Sequence, residues 1–116
     1  MKLNKKILST LEENDFRICG EDEQGGAFWV ELEWYSPAGE DCLFSVYFDG
    51  TSRGFVRGFA QEAEDFDPDE HAELWIDHRG ENGCPSSIRE LIDDADAIKA
   101  ELERMADLLR ETVKGE

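Results

Sequence analysis

The sequence predicts an α+β domain: one helix, a three-stranded antiparallel sheet, then two medium helices and one long C-terminal helix. Three observations lead there. Apolar residues recur at period 2 in two neighbouring stretches, 27–35 and 41–49. They recur at helical spacing in the segments on either side. A chain of 116 residues with 40% apolar content can bury one core but is short for two, so 1–116 is read as a single domain.

Between Asn4 and Asn14, Ile7, Leu8 and Leu11 line one face of a short amphipathic helix. Phe16 to Gly20 reads as a short strand, and the polar, glycine-rich stretch 21–26 as its connection to the next. In 27–35, Phe28, Val30, Leu32 and Trp34 alternate with Trp29, Glu31, Glu33 and Tyr35. In 41–49, Cys42, Phe44, Val46 and Phe48 alternate with Leu43, Ser45 and Tyr47, and Ser36-Pro37-Ala38-Gly39-Glu40 supplies the turn between the two strands. The second face of this sheet holds Trp29, Tyr35, Leu43 and Tyr47. It is either an open aromatic patch or lies beneath the N-terminal helix or a dimer mate. Its acidic neighbours, Glu31 and Glu33, argue against base stacking, where such aromatics sit among cations.

Asp49-Gly50-Thr51-Ser52 then stops the strand and offers a cap to a helix with an apolar stripe of Phe55, Val56, Phe59, Ala60, Ala63 and Phe66. Gly54 and Gly58 weaken it unless they permit close packing on the sheet. Asp67-Pro68-Asp69-Glu70 starts the next helix with an N-cap acid, Pro at the first position and Glu at the third. That helix is expected to reach about Arg79, facing inward with Ala72, Trp75, Ile76 and Arg79 and stopped by Gly80. Ser87 with Glu90 opens the last helix, Ile88 to about Val113. Its residues Ile88, Leu91, Ala95, Ile98, Leu102, Met105 and Leu109 form a heptad-like seam. At 1.5 Å per residue it spans roughly 39 Å, longer than the roughly 27 Å of an eight-residue strand. The expectation is therefore that it overhangs the sheet. The seam either covers sheet and helices, or its distal half at Leu102, Met105 and Leu109 joins a second subunit as a homodimer.

Charge is the dominant functional signal. There are 29 acidic residues against 12 basic ones, a formal net charge of −17. Such a surface repels nucleic acid and anionic membrane, leaving basic protein surfaces as the expected partners. The acids are not spread evenly. From Gly58 to His78 stand Glu62, Glu64, Asp65, Asp67, Asp69, Glu70, Glu73 and Asp77, with no Lys or Arg. On the last helix follow Asp93, Asp94 and Asp96. Carboxylates on rigid helices lie a few ångströms apart, on the scale of phosphate spacing, so these residues, apart from the helix-capping Asp67, are the candidate partner-binding site of a nucleic-acid mimic. The alternative is a solvated acidic surface.

Chemistry has thinner support. His71 and His78 are seven residues apart on one helix, two turns rather than the one a shared zinc requires. Asp67, Asp69 and Glu70 lack the glycine and distant glutamate of a calcium loop. Cys19, Cys42 and Cys84 are odd in number and without ligand spacing, which favours reduced thiols in the cytoplasm. Cys84, just before a helix N-terminus, is the one candidate for an activated thiol, but no cation adjoins it. No catalytic residue, metal or cofactor is expected, and no signal peptide or membrane span is read from the sequence.

The run from Phe66 to Ile76, FDPDEHAELWI, followed by Arg79-Gly80 and by Pro85-Ser86-Ser87-Ile88-Arg89-Glu90-Leu91, resembles an uncharacterised group of small acidic proteins encoded in bacterial mobile elements and phages. The resemblance covers roughly residues 26 to 110. It implies a setting rich in anti-restriction and anti-CRISPR inhibitors, and so a non-enzymatic inhibitor that occupies the basic groove of a CRISPR effector or other defence nuclease. The alternative it leaves is an accessory protein of a mobile element that binds protein without mimicry.

Overall fold

The computed structural model describes residues 3–115. Its elements are α1 (Lys5–Glu13), β1 (Arg17–Gln24), β2 (Ala27–Tyr35), β3 (Asp41–Phe48), α2 (Ser52–Asp65), α3 (Pro68–Trp75), a single 3-10 turn (Ile76–His78) and α4 (Ile88–Thr112). The sheet is antiparallel with order β1-β2-β3, Trp29 lying opposite Tyr47 and Leu32 opposite Phe44. β1 runs four residues further than expected, because Glu21 to Gln24 pair with β2 back to Ala27. Only Gly25 and Gly26 remain as the turn. Both have positive φ, the requirement of a tight two-residue hairpin. The register shifts between Ile18 and Gly20, a bulge at Cys19. Among the described residues β1 pairs only with β2, so its outer edge, including Glu21, Asp22 and Glu23, has no strand partner there.

Each α-helix begins with a side-chain cap. Asn4 accepts from the Ile7 N–H at 2.8 Å, Thr51 Oγ1 from Gly54 at 2.9 Å, Asp67 Oδ1 from Asp69 at 2.9 Å and Ser87 Oγ from Glu90 at 3.1 Å. α2 ends under the Lys99 ammonium of α4, which donates to the carbonyls of Ala63 and Glu64, a cation on the negative end of a helix. α3 is shorter than expected, tightening into the 3-10 turn at Ile76. Its expected inward face holds only in part: Ala72 and Trp75 are half-buried, whereas Ile76 and Arg79 are exposed.

The core joins the inner sheet residues Val30, Leu32, Trp34, Cys42, Phe44 and Val46 to Ile7, Leu11, Phe55, Phe59, Ile98, Leu102, Met105 and Leu109. Phe16 closes one side, stacked on Trp34 at 5.6 Å. Gly58 is needed for close approach: a Cβ there would lie 2.8 Å from Val46 Cγ1 and 2.9 Å from the Tyr47 carbonyl oxygen. Burial of roughly a dozen large side chains below 2% exposure supplies the main folding drive.

Apart from Ile88, which is exposed, the seam of α4 is buried and its distal half lies inside this core, which overturns its reading as a self-association surface. Leu102, Met105 and Leu109 are each 0% exposed. α1, α2 and α3 all pack on α4, so the length that exceeds the sheet is covered by helices of the same chain. Among the described residues, no helix is long and apolar enough to cross a membrane.

Candidate functional site

All the helices lie on the inner side of the sheet, which leaves its other face open. Tyr35, Leu43 and Tyr47 are more than half exposed there. Trp29 is half-buried; its ring lies over Gly20, where a Cβ would come within 3.2 Å of Cη2, and its indole N–H has no acceptor among the described residues. Glu31 and Glu33 share this face, Glu33 paired with Arg17 at 2.5 Å. Cys19 is exposed at its edge.

A cleft of about 500 Å³ opens where the start of β3, the end of α2 and α3 meet. Its acids on the helical side are Glu62, Asp65, Asp67 and Glu70, with Glu40 and Asp41 around the start of β3; its apolar wall includes Leu43, Phe44, Phe66, Leu74 and Trp75. Three of the first four come from the expected partner-binding set, and Asp67 is the α3 cap. Burial, with Asp65 beside it, raises the Glu62 carboxyl above its ordinary value. Among the described residues none of the four pairs with Lys or Arg; Asp65 accepts only from the Gln61 amide, at 2.9 Å.

Beneath the cleft lies a buried polar group that ties three elements together. The β2–β3 turn is closed by Ser36 N–H to the Glu40 carbonyl (2.9 Å) and by Glu40 N–H to Ser36 Oγ (2.9 Å). Ser36 Oγ donates to Asp94 Oδ2 at 2.5 Å, and Ala38 N–H donates to Asp94 Oδ1 at 3.0 Å. Glu40 meets His71 of α3, with Oε1 to Nε2 at 3.1 Å, and its carboxyl also faces Asp94, with which its protonated form hydrogen-bonds. Burial and the neighbouring Asp94 push Glu40 up to about 8, and burial lowers His71. Near neutral pH the pair is thus a neutral carboxyl against a neutral imidazole. Gly83 presses on the same turn: a Cβ there would lie 2.0 Å from the Gly39 carbonyl oxygen.

These contacts revise several expectations. Asp94 is not a surface acid: it is 4% exposed and holds the β2–β3 turn, because it falls on the same helical face as Leu91 and Ile98. His71 is held against Glu40, and His78 is exposed beside Glu81 at 2.8 Å. Burial raises the Cys84 thiol, the opposite of activation. Of the remaining expected site residues, Asp69, Glu73 and Asp77 are exposed on α3 and the 3-10 turn, and Asp93 and Asp96 are exposed on α4. Glu64 lines a different groove. That groove, of about 1040 Å³ between α2 and α4, is walled by Arg53, Arg57, Lys99, Arg110 and Lys114.

No protein-family model, curated protein or solved structure matches the chain.

Proposed function

We propose that the protein is a non-enzymatic acidic binding protein that docks the α2–α3 end of its fold onto a basic protein surface. The observation that supports this reading is the state of the charges. Glu64, Asp65, Asp69, Glu70, Glu73 and Asp77 are exposed and, among the described residues, have no cationic partner, whereas Arg17, Arg57, Lys99, Arg104, Arg110 and Lys114 each sit beside a carboxylate elsewhere. A folded array of unneutralised carboxylates meets a nucleic-acid groove without first ordering itself. The resemblance to small acidic proteins of mobile elements and phages points to a CRISPR effector or another defence nuclease as the owner of that groove.

The test is inhibition of DNA cleavage by a purified CRISPR effector nuclease. Inhibition should weaken steeply with salt, compete with duplex DNA, and vanish in the triple variant Asp69→Lys, Glu70→Lys, Glu73→Lys. Circular dichroism must accompany that variant, since Asp69 and Glu70 sit in the first turn of α3. Inhibition indifferent to salt and to the charge reversal removes the reading.

A second reading, protein binding without mimicry, is favoured by the open sheet face. It predicts that Tyr35→Ala with Tyr47→Ala, and not the charge reversal, abolishes binding.

A further inference from the structure

Within the acidic end, the cleft between β3 and α3 differs from the flat helix surface around it in having depth, an apolar wall and a buried polar floor. We propose that it seats one arginine side chain of the basic partner, a specific anchor within an otherwise diffuse electrostatic contact. The proposal rests on the binding-protein reading above and names the chemistry of its central contact.

The lining excludes other occupants. Glu62, Asp65, Asp67 and Glu70 repel anions and leave a neutral apolar ligand facing uncompensated carboxylates. Among the described residues no three His, Cys, Asp or Glu side chains are placed to hold a metal ion, and the apolar wall of Phe66, Leu74 and Trp75 suits an organic cation. Its volume of about 500 Å³ lies within the range of ligand-sized cavities.

Arginine is favoured over lysine by the aromatic wall. Phe66, His71 and Trp75 stand in a row, with ring centroids 5.3 Å apart for Phe66–His71 and 6.5 Å for His71–Trp75. A planar guanidinium stacks on such faces and offers five donors to surrounding carboxylates, whereas an ammonium is a compact, strongly hydrated point charge. Leu74, which is 66% exposed at the mouth, offers apolar surface for an aliphatic stem.

The floor supplies an observation independent of the acidic rim. The Glu40 side chain lines the cleft and is 5% exposed, and its protonated carboxyl hydrogen-bonds to Asp94, so two buried carboxyl groups under the cleft share one proton. A cation above Glu40 favours loss of the carboxyl proton that burial retains in the free protein. Occupation therefore releases a proton, and affinity rises between about pH 6.5 and 8.

The experiment titrates the isolated protein with a blocked tripeptide, acetyl-Gly-Arg-Gly-amide, and with its citrulline counterpart, a neutral near-isostere. Amide and indole resonances are followed by NMR. The expected result is saturable shifts at Trp75, His71 and Leu74, with citrulline weaker by about tenfold or more, the loss of one charge-assisted hydrogen bond. The double variant Glu62→Gln, Asp65→Asn should weaken arginine binding by at least about tenfold and leave the dispersion of the spectrum intact. Equal shifts from arginine and citrulline overturn the proposal. Shifts confined to Asp69, Glu73 and Asp77 also overturn it, but leave the acidic docking surface standing. Failure of the docking surface itself is read separately, from the nuclease assay.

Discussion

Along one side of α2, the groove shared with α4 is walled by cations; at the end of the same helix, the cleft shared with β3 and α3 is walled by carboxylates. The first is neutralised from within. Arg110 and Lys114 lie 2.6 and 2.8 Å from Asp107 and Glu111, and Lys99 and Arg57 lie 3.8 Å from Glu103 and Asp49. The second has no such internal counter-charge among the described residues. In this molecule pairing is thus more informative than net charge: the basic groove is saturated, while the acidic cleft retains its field.

The helices that form these regions, α2 and α3, both pack on α4, so the comparison depends first on that helix being internal. Met105→Ala should cost about 2–5 kcal/mol in urea denaturation, the range for emptying a packed core site. A loss below about 1 kcal/mol, with a mass that depends on concentration in the native protein, would return the seam to an intermolecular role.

The next effect separates buried from exposed acids. Asp94→Ala should cost about 1–3 kcal/mol, because it strands the Ser36 hydroxyl and the Ala38 N–H. Its exposed neighbour Asp93→Ala should change stability by no more than about 0.5 kcal/mol. Equal costs would show that the network beneath the cleft contributes nothing.

A pH profile sharpens the same contrast. Folded Glu40 keeps its proton up to about 8, against 4.5 for an ordinary glutamate. The folded state therefore binds the extra proton across that window, and stability falls as pH rises through it. His71 is lowered from 6.5, so its contribution is present above 6.5 and is lost as pH falls below it. Between about pH 6.5 and 8.5 the histidine contributes little slope, and urea midpoints should decline in the native protein. Glu40→Gln should flatten that decline; an unchanged slope in the variant would assign it to another group.

The smallest effects compare the two charge patterns directly. Glu73→Gln with Asp77→Asn relieves like-charge repulsion and should stabilise by a few tenths of a kcal/mol at low salt, fading as salt is added. Arg110→Gln breaks an exposed pair and should destabilise by a similar amount. Thermal melts at two ionic strengths measure both, and the same sign for both variants would contradict the pairing argument.

Much of the fold is legible locally. The alternation in Ala27–Tyr35 gives β2 its observed ends, and Asp67-Pro68 and Ser87 mark the starts of α3 and α4. β1 is less legible: Glu21 to Gln24 carry no apolar signal, and backbone pairing with β2 makes them a strand. The acids of the cleft were visible as a run, but its floor was not. Glu40, His71 and Asp94 lie 31 and 23 residues apart in the chain, and only folding brings them together. One local clue existed. Asp94 stands three residues after Leu91 and four before Ile98, so an acid on the apolar face of α4 required a buried partner.

The unpaired edge of β1 bears on how this protein behaves in a crowd of its own copies. A strand with a free row of N–H and C=O groups is a template on which another copy can add, and the open sheet face beside it offers aromatic surface to reward that addition. Glu21, Asp22 and Glu23 place three consecutive carboxylates on that strand, so two such edges repel when they approach. The charge there acts as a guard against fibre-like stacking, and high salt, by screening it, is the condition under which that guard lapses.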